Sequence, residues 1–362
     1  MSDNKRPVVS FCIPVYNNAE AAVKIVQGLL VSDNQDFEVI VSDDASKDNA
    51  QELLTQIHDP RFTYYRNEHN LGAHQNWLHS LELGQGEWLY LSMGREILHG
   101  DKVGRLIELL EYAGKNNITY LKDGYGPKDK GDIVVYNGVE AMMYFLKVEH
   151  PTGDIFNGDI FRKIPAHERK RYFNISDMFP ENYVRRDMLL NGKGAFIRSG
   201  LHIREDLIPE SSPVTSTVES NKDIFDFYFA PQRLVTQHIE LIDIILKDFP
   251  GIFSKIDYGR YFSRKFRELL YHVSMRWQGW CSNPRASRHY GYSLRHVSNM
   301  EMLRNIMKAY KYIKAHMKSE GFYDFSRQII MYYCMVKVSV KIFLWMPFKK
   351  FISKIKNFPH HD

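Results

Sequence analysis

Cysteine is scarce in this chain. Only Cys12, Cys281 and Cys334 occur in 362 residues, far apart and without metal-ligand spacing. Such usage offers no disulfide framework and suits a reducing compartment. Long apolar runs are missing too: no uncharged stretch reaches the ~18 residues expected of a spanning helix. The opening Met1-Ser2-Asp3-Asn4-Lys5-Arg6 leads into no long signal-peptide core. The expectation is a protein made and kept in the cytoplasm. Internal repeats and low-complexity tracts are absent as well.

What is present is ordinary for a globular chain, with 44% hydrophobic and 25% charged residues. The length accommodates one large domain plus a smaller one. Aromatics reach 14%, with 22 Tyr and 22 Phe, which suits an aromatic core, or sugar-stacking and membrane-interface surfaces. The net charge of +5 is modest, and nucleic acid is not an expected partner. Its placement is uneven, because Lys337, Lys341, Lys349, Lys350, Lys354 and Lys356 fall near the end with no acid among them before Asp362.

Hydrophobic periodicity divides the chain. Val8–Val15 reads as a buried strand ending at Tyr16-Asn17-Asn18, and Ala19–Leu30 as a helix with Ala22, Ile25, Val26 and Leu29 on one face. Further strands are expected at Phe37–Val41, Phe62–Tyr65 and Trp88–Leu91, with helices at about 49–57 and around Trp77, Leu78 and Leu81. This alternation implies βαβ units and a mostly parallel sheet, whose ligands bind beyond the carboxyl ends of the strands. Tyr16, Asp44, Asn70 and Gly94-Arg95-Glu96 all follow strand ends and are expected to converge on one crevice. From about residue 220 the pattern turns helical, over Asp223–Phe249, Tyr258–Trp277 and Met300–Gly321, with a break at Gly279–Pro284. The expected division is therefore 1–205, α/β, and 206–362, mainly helical.

On residue chemistry alone, Asp43-Asp44 after a strand suits acceptance of hydrogen bonds from a base or ribose, or the capping of the next helix. Tyr16 suits stacking on a base, or is simply a loop aromatic. His69, His74 and His79, five apart, do not share a helix face as metal ligands would.

Four pieces in order carry a resemblance: Ser10-Phe11-Cys12-Ile13-Pro14-Val15-Tyr16-Asn17, Val39–Ser46, Asn70-Leu71-Gly72 with Asn76, and Gly86–Leu91. Together they resemble the inverting family 2 glycosyltransferases of GT-A fold, of the bacterial cell-surface polysaccharide type, over roughly residues 7 to 200. The resemblance implies a Rossmann-like α/β fold, with Pro14 and Tyr16 lining a nucleobase pocket and Asp44 binding the base, commonly uracil. Asp43, Asn70 and Gly72 would shape or support the nucleotide site; Asn76 would join them, or simply cap or brace the turn. Asp154 and Asn157, in the polar segment His150–Gly158, could hydrogen-bond sugar hydroxyls, or that segment is a plain turn.

The chain departs from the family pattern twice. Where the family usually carries an Asp-x-Asp holding Mg²⁺ or Mn²⁺ on the donor diphosphate, this chain has Gly94-Arg95-Glu96. Glu96 as lone metal carboxylate, Arg95 paired directly with phosphate, a solvated pair, and loss of catalysis all stand open. The family's general base lies near a helix start beyond that motif. Glu181 is the first candidate and Asp177 the second, with charge complementing the helix dipole as the alternative. The usual Asp beside the Glu is absent, since Asn182 stands there.

The expected function is inverting transfer of a sugar from a nucleotide donor, a UDP-sugar, to a hydroxyl of a glycan or lipid-linked glycan. The competing expectation is a non-catalytic GT-A module in a polysaccharide assembly complex. Nucleotidyl transfer fits less well, for want of a glycine-rich phosphate loop near the N-terminus. The basic, Phe- and Ile-bearing end, Phe348–Lys356, suits the inner face of a membrane, or a final helix with its lysines in water.

Overall fold

The computed structural model describes residues 6–93, 96–124, 131–147, 151–175, 179–206, 230–248, 255–284, 287–288 and 291–345. Two compact units emerge, 1–219 and 220–362, each with a hydrophobic core of its own.

In the first unit the expected alternation is realised. Strand β1 (Val9–Val15) is buried along its whole length, as a central strand covered on both faces must be. Helix α1 (Ala19–Leu30) buries Ala22, Ile25, Val26 and Leu29, the stripe that the 3.6-residue period predicts. Then follow β2 (Phe37–Asp43), α2 (Ala50–Thr55), β3 (Phe62–Arg66), α3 (Ala73–Leu83), β4 (Trp88–Leu91) and the short β5 (Glu96–Leu98). Next come α4 (Val103–Lys115), β6 (Ile118–Asp123), β7 (Ile133–Tyr136), α5 (Gly138–Phe145) and β8 (Asp154–Asn157). The unit closes with α6 (Gly158–Lys163), α7 (Ala166–Ile175), α8 (Glu181–Asn191), β9 (Lys193–Ile197) and β10 (His202–Asp206).

Eight strands form one sheet in the order β3-β2-β1-β4-β8-β6-β9-β7, and β10 pairs with β5 in a second. Pairs β1–β2, β1–β4, β2–β3 and β6–β9 are parallel. Strand β8 runs antiparallel to both of its neighbours, with Asp154 opposite Leu91 and Lys122, and Asn157 opposite Trp88. That reversal places Asp154 at the edge where β1, β2, β4 and β6 end.

The segment expected to be a polar loop or turn is therefore corrected in part. Gly153 makes the turn at φ +80°, and Asp154–Asn157 is a strand in the middle of the sheet. Ile155 and Phe156 are fully buried, and that burial outweighs the polar residues flanking them.

The second unit is helical. Helix α9 (Pro231–Asp248) precedes α10 (Lys255–Tyr271), which continues through a π turn at His272–Arg276 into Trp277–Cys281. The expected break thus begins only after Cys281, because Trp277 and Cys281 are core residues that hold the last turn in place. Helix α11 (Asn299–Ser319) starts at Ser298, whose hydroxyl accepts from Glu301 N at 3.1 Å, and buries Met302, Ile306, Ala309, Ile313 and Met317. Helix α12 (Phe325–Val340), capped by Asp324, packs on α10 and continues as a π turn to Trp345. Among the described residues no helix is long and apolar enough to cross a membrane. Phe348–Lys356 lies outside them.

Candidate active site

The loops that leave β1 and β2 are tied together. Asn17, at φ 49°, donates its backbone N–H to Ser46 Oγ (2.9 Å) and accepts from Lys47 N at Oδ1 (2.7 Å). Asp44 N donates to Val15 O at 2.9 Å. Asp43 is fully buried. One of its oxygens accepts from Ser46 N (3.0 Å), the other from Tyr64 O–H and Arg66 Nη1 (both 2.6 Å). Burial and the neighbouring Asp43 carboxylate push the Tyr64 phenol well above its ordinary value.

Asp44 holds the next turn. Its Oδ1 accepts from Leu71 N (2.7 Å) and Asn67 Nδ2 (2.9 Å), and its Oδ2 from Gly72 N (3.0 Å). Asn70 Oδ1 also accepts from Gly72 N at 3.0 Å. Gly72 sits at φ 85°, ψ 158° as the cap residue of α3, a conformation that favours glycine. Asn76 braces this assembly, accepting from Ser42 Oγ (2.6 Å) and Asn67 Nδ2 (3.1 Å) and donating to Ser42 O (2.9 Å). A carboxylate offers about four lone-pair sites. The three donors found on Asp44 leave one acceptor site on Oδ2.

A second cluster occupies the same sheet edge under β6 and β8. Asp154, fully buried, accepts from Tyr120 O–H (2.9 Å) and Lys122 Nζ (2.8 Å) on Oδ1, and from Arg185 Nε (2.9 Å) and Nη2 (2.7 Å) on Oδ2. Asp123 accepts from Gly124 N, Ser199 N and Ser199 O–H. Gly153 must be glycine, because a Cβ there would stand 2.8 Å from Asp123 O. Asn182 donates to Lys147 O (3.0 Å) and accepts from Lys147 N (3.2 Å) and Arg185 Nη1 (3.1 Å). Glu181 opens α8 with its carboxyl fully buried and neither oxygen hydrogen-bonded among the described residues. Arg185 Nη2 lies 3.6 Å from its Oε1. Burial pushes Glu181 up to about 8, with Arg185 lowering it and Asp154 raising it.

The expected site residues thus separate into groups. Asp43, Asp44, Asn70 and Gly72 share one hydrogen-bonded assembly, beside half-buried Tyr16 and buried Pro14. Asp154 and Glu181 share Arg185. Asn157 is corrected, because it lies at the far end of β8, where its Oδ1 accepts from Asp159 N (3.1 Å) and Ile160 N (3.0 Å) and so caps α6. Asp154 is corrected likewise: its four acceptor sites are occupied, which leaves none for a sugar hydroxyl. Asp177, Arg95 and the side chain of Glu96 lie outside the described residues.

Sequence reasoning missed Arg66, Asn67, Lys122, Asp123 and Arg185. Only Asp123 had a signal, as an acid closing the apolar run Ile118–Leu121. Among the described residues no three His, Cys, Asp or Glu side chains are grouped to hold a metal ion, and the side chain of Glu96, the expected metal carboxylate, is not among them.

Residues 10–171 match the family model described as Glycosyl transferase family 2. The chain is similar to WcaA of Escherichia coli, a protein named for glycosyl transfer in colanic acid biosynthesis, at 32% identity over 85 residues. That alignment covers 23% of this chain and 30% of WcaA. Abequosyltransferase RfbV of Salmonella typhimurium is 29% identical over 109 residues, covering 29% of this chain and 33% of RfbV. The chain spans about a third or less of the length of these and two further curated relatives. A crystal structure of TarS 1-349 from S. aureus in complex with UDP-GlcNAc matches at 13% identity and a TM-score of 0.49, covering 87% of this chain and 92% of that one. Over residues 10–171 the N-terminal unit, with its mostly parallel sheet and linked strand-end loops, is similar to glycosyl transferase family 2.

Proposed function

We propose that this protein transfers a sugar from a uridine diphosphate sugar to a hydroxyl of a cell-surface glycan, with inversion at the anomeric carbon. The observation that carries the proposal is the Asp44 assembly. A carboxylate held by Leu71 N, Gly72 N and Asn67 Nδ2 keeps one acceptor site, and uracil N3–H is a donor of matching kind. Tyr16 stacks on the base, and Pro14 lines its pocket. The polysaccharide assignment draws on the names of the relatives.

In the reaction, the acceptor oxygen forms its bond to the anomeric carbon as the bond to the diphosphate oxygen breaks on the opposite face. The nucleoside diphosphate leaves with the electron pair. Glu181 takes the hydroxyl proton. Arg95 supplies the counter-charge to the diphosphate, in the place where a metal motif would stand, since guanidinium binds phosphate oxygens bidentately. A second reading, a non-catalytic GT-A module, is favoured by one observation: Asn182 replaces an acid and is tied to the backbone of Lys147.

The test is a UDP-sugar hydrolysis and transfer assay, with and without chelator. Asp44→Ala is expected to weaken UDP binding more than about tenfold, through the lost acceptor and the released turn. Arg95→Ala is expected to lower turnover about a hundredfold or more, with chelator lacking effect. Because Glu181 titrates at about 8, kcat/KM should rise with pH up to that value and then level off. Turnover abolished by chelator would replace Arg95 with a metal held through Glu96, and UDP binding without turnover on any acceptor would select the module.

A further inference from the structure

The last described helix carries an apolar face that is exposed among the described residues. Phe325, Ile329, Tyr332, Val336, Val340 and Leu344 are between 44% and 77% exposed. Their spacings of four, three, four, four and four residues keep them on one side of α12 and its π-turn extension. The opposite side, with Met331, Cys334, Val338 and Ile342, is buried in the core of the C-terminal unit. A continuous exposed stripe of this length is uncommon on a soluble monomer and marks an interaction surface.

Charge identifies the partner. Lys337 and Lys341 are exposed beside the stripe, and the Lys337 ammonium lies 5.4 Å from the centre of the Tyr333 ring. From Phe325 to His361 the sequence contains Arg327, Lys337, Lys341, Lys349, Lys350, Lys354 and Lys356 and no acid. A second copy docked on this face would bring two segments that carry cations and no acid into one interface, which is repulsive. An anionic surface would neutralise them. Tyrosines on the stripe suit the headgroup level of a bilayer, and no described helix is apolar enough to cross one.

We propose that α12 lies in the plane of an anionic lipid bilayer, with the Phe325–Leu344 stripe among the acyl chains and Lys337 and Lys341 at the headgroups. This docking surface stands independently of the sugar-transfer reaction.

The experiment is co-sedimentation of the full chain with vesicles of phosphatidylcholine alone, and of phosphatidylcholine mixed with phosphatidylglycerol. The protein is expected to pellet with the mixed vesicles, to stay in solution with the neutral ones, and to be released by added salt. The double variant Ile329→Asp/Val336→Asp is expected to lower the partition coefficient more than about tenfold, by placing two charges in the exposed stripe that would enter the bilayer. Lys337→Glu/Lys341→Glu should lower it at least about fivefold. Both substituted pairs are exposed, and unchanged helical circular dichroism checks the fold. If the apolar variant misfolds, the lysine variant alone decides. Wild-type protein that ignores anionic vesicles overturns the proposal, as do variants that bind like the wild type. A dimer dispersed by Ile329→Asp/Val336→Asp, without vesicle binding, also overturns it and assigns the face to a second copy.

Discussion

Asp44 and Asp154 are both aspartates at the edge where the parallel strands end, and their surroundings give them opposite capacities. Asp44 meets three donors and keeps an acceptor site, whereas Asp154 meets four and keeps none. Sequence order made Asp44 legible, because an acid closing a β-rich run precedes a turn. Lys122 and Arg185, the cations that saturate Asp154, lie 32 and 31 residues away and left no local signal. Glu181 was legible as an acid opening a helix, but its burial was not. Its folded value of about 8 stands above the ordinary carboxylate value of 4.5, so the fold holds the protonated form. The stability this contributes is present below the ordinary value and is lost as pH rises through about 8. Glu181→Gln keeps the neutral shape, so its melting temperature should match wild type near about pH 4 and exceed it increasingly towards about pH 8. The underlying difference is about 1.4 kcal/mol per pH unit at most. An equal offset at both ends of that range in calorimetry would sink the assignment.

At the scale of elements, α1 and β4 fall where periodicity places them, because each is a local pattern long enough to bury one face or both. Strand β8 does not, since its antiparallel direction depends on pairing with β4 and β6 rather than on its four residues. The start of α3 is a local matter again. Gly72 adopts φ 85° while its N–H reaches Asp44 and Asn70. Gly72→Ala is expected to cost about 1–2 kcal/mol in the left-handed region and to weaken UDP binding several-fold by loosening the Asp44 turn. Chemical denaturation together with titration calorimetry measures both. Unchanged affinity alongside lost stability would separate the turn from the nucleotide pocket.

For the molecule as a whole, two units with separate cores predict two calorimetric transitions. UDP at about 100 times its Kd should raise the stability of the N-terminal transition by about 2.7 kcal/mol and leave the helical unit's transition in place. A single transition that shifts as one would contradict this. The sequence by itself determined the order of strands and helices and the resemblance to glycosyl transferase family 2, because these rest on local patterns in fixed order. The tertiary structure alone decided that Asp154 is a buried ion-pair centre, that Asn157 is a helix cap, and that α12 bears an apolar face exposed among the described residues. Each of those depends on which distant side chains fill the space around a residue, and one-dimensional spacing does not carry that information.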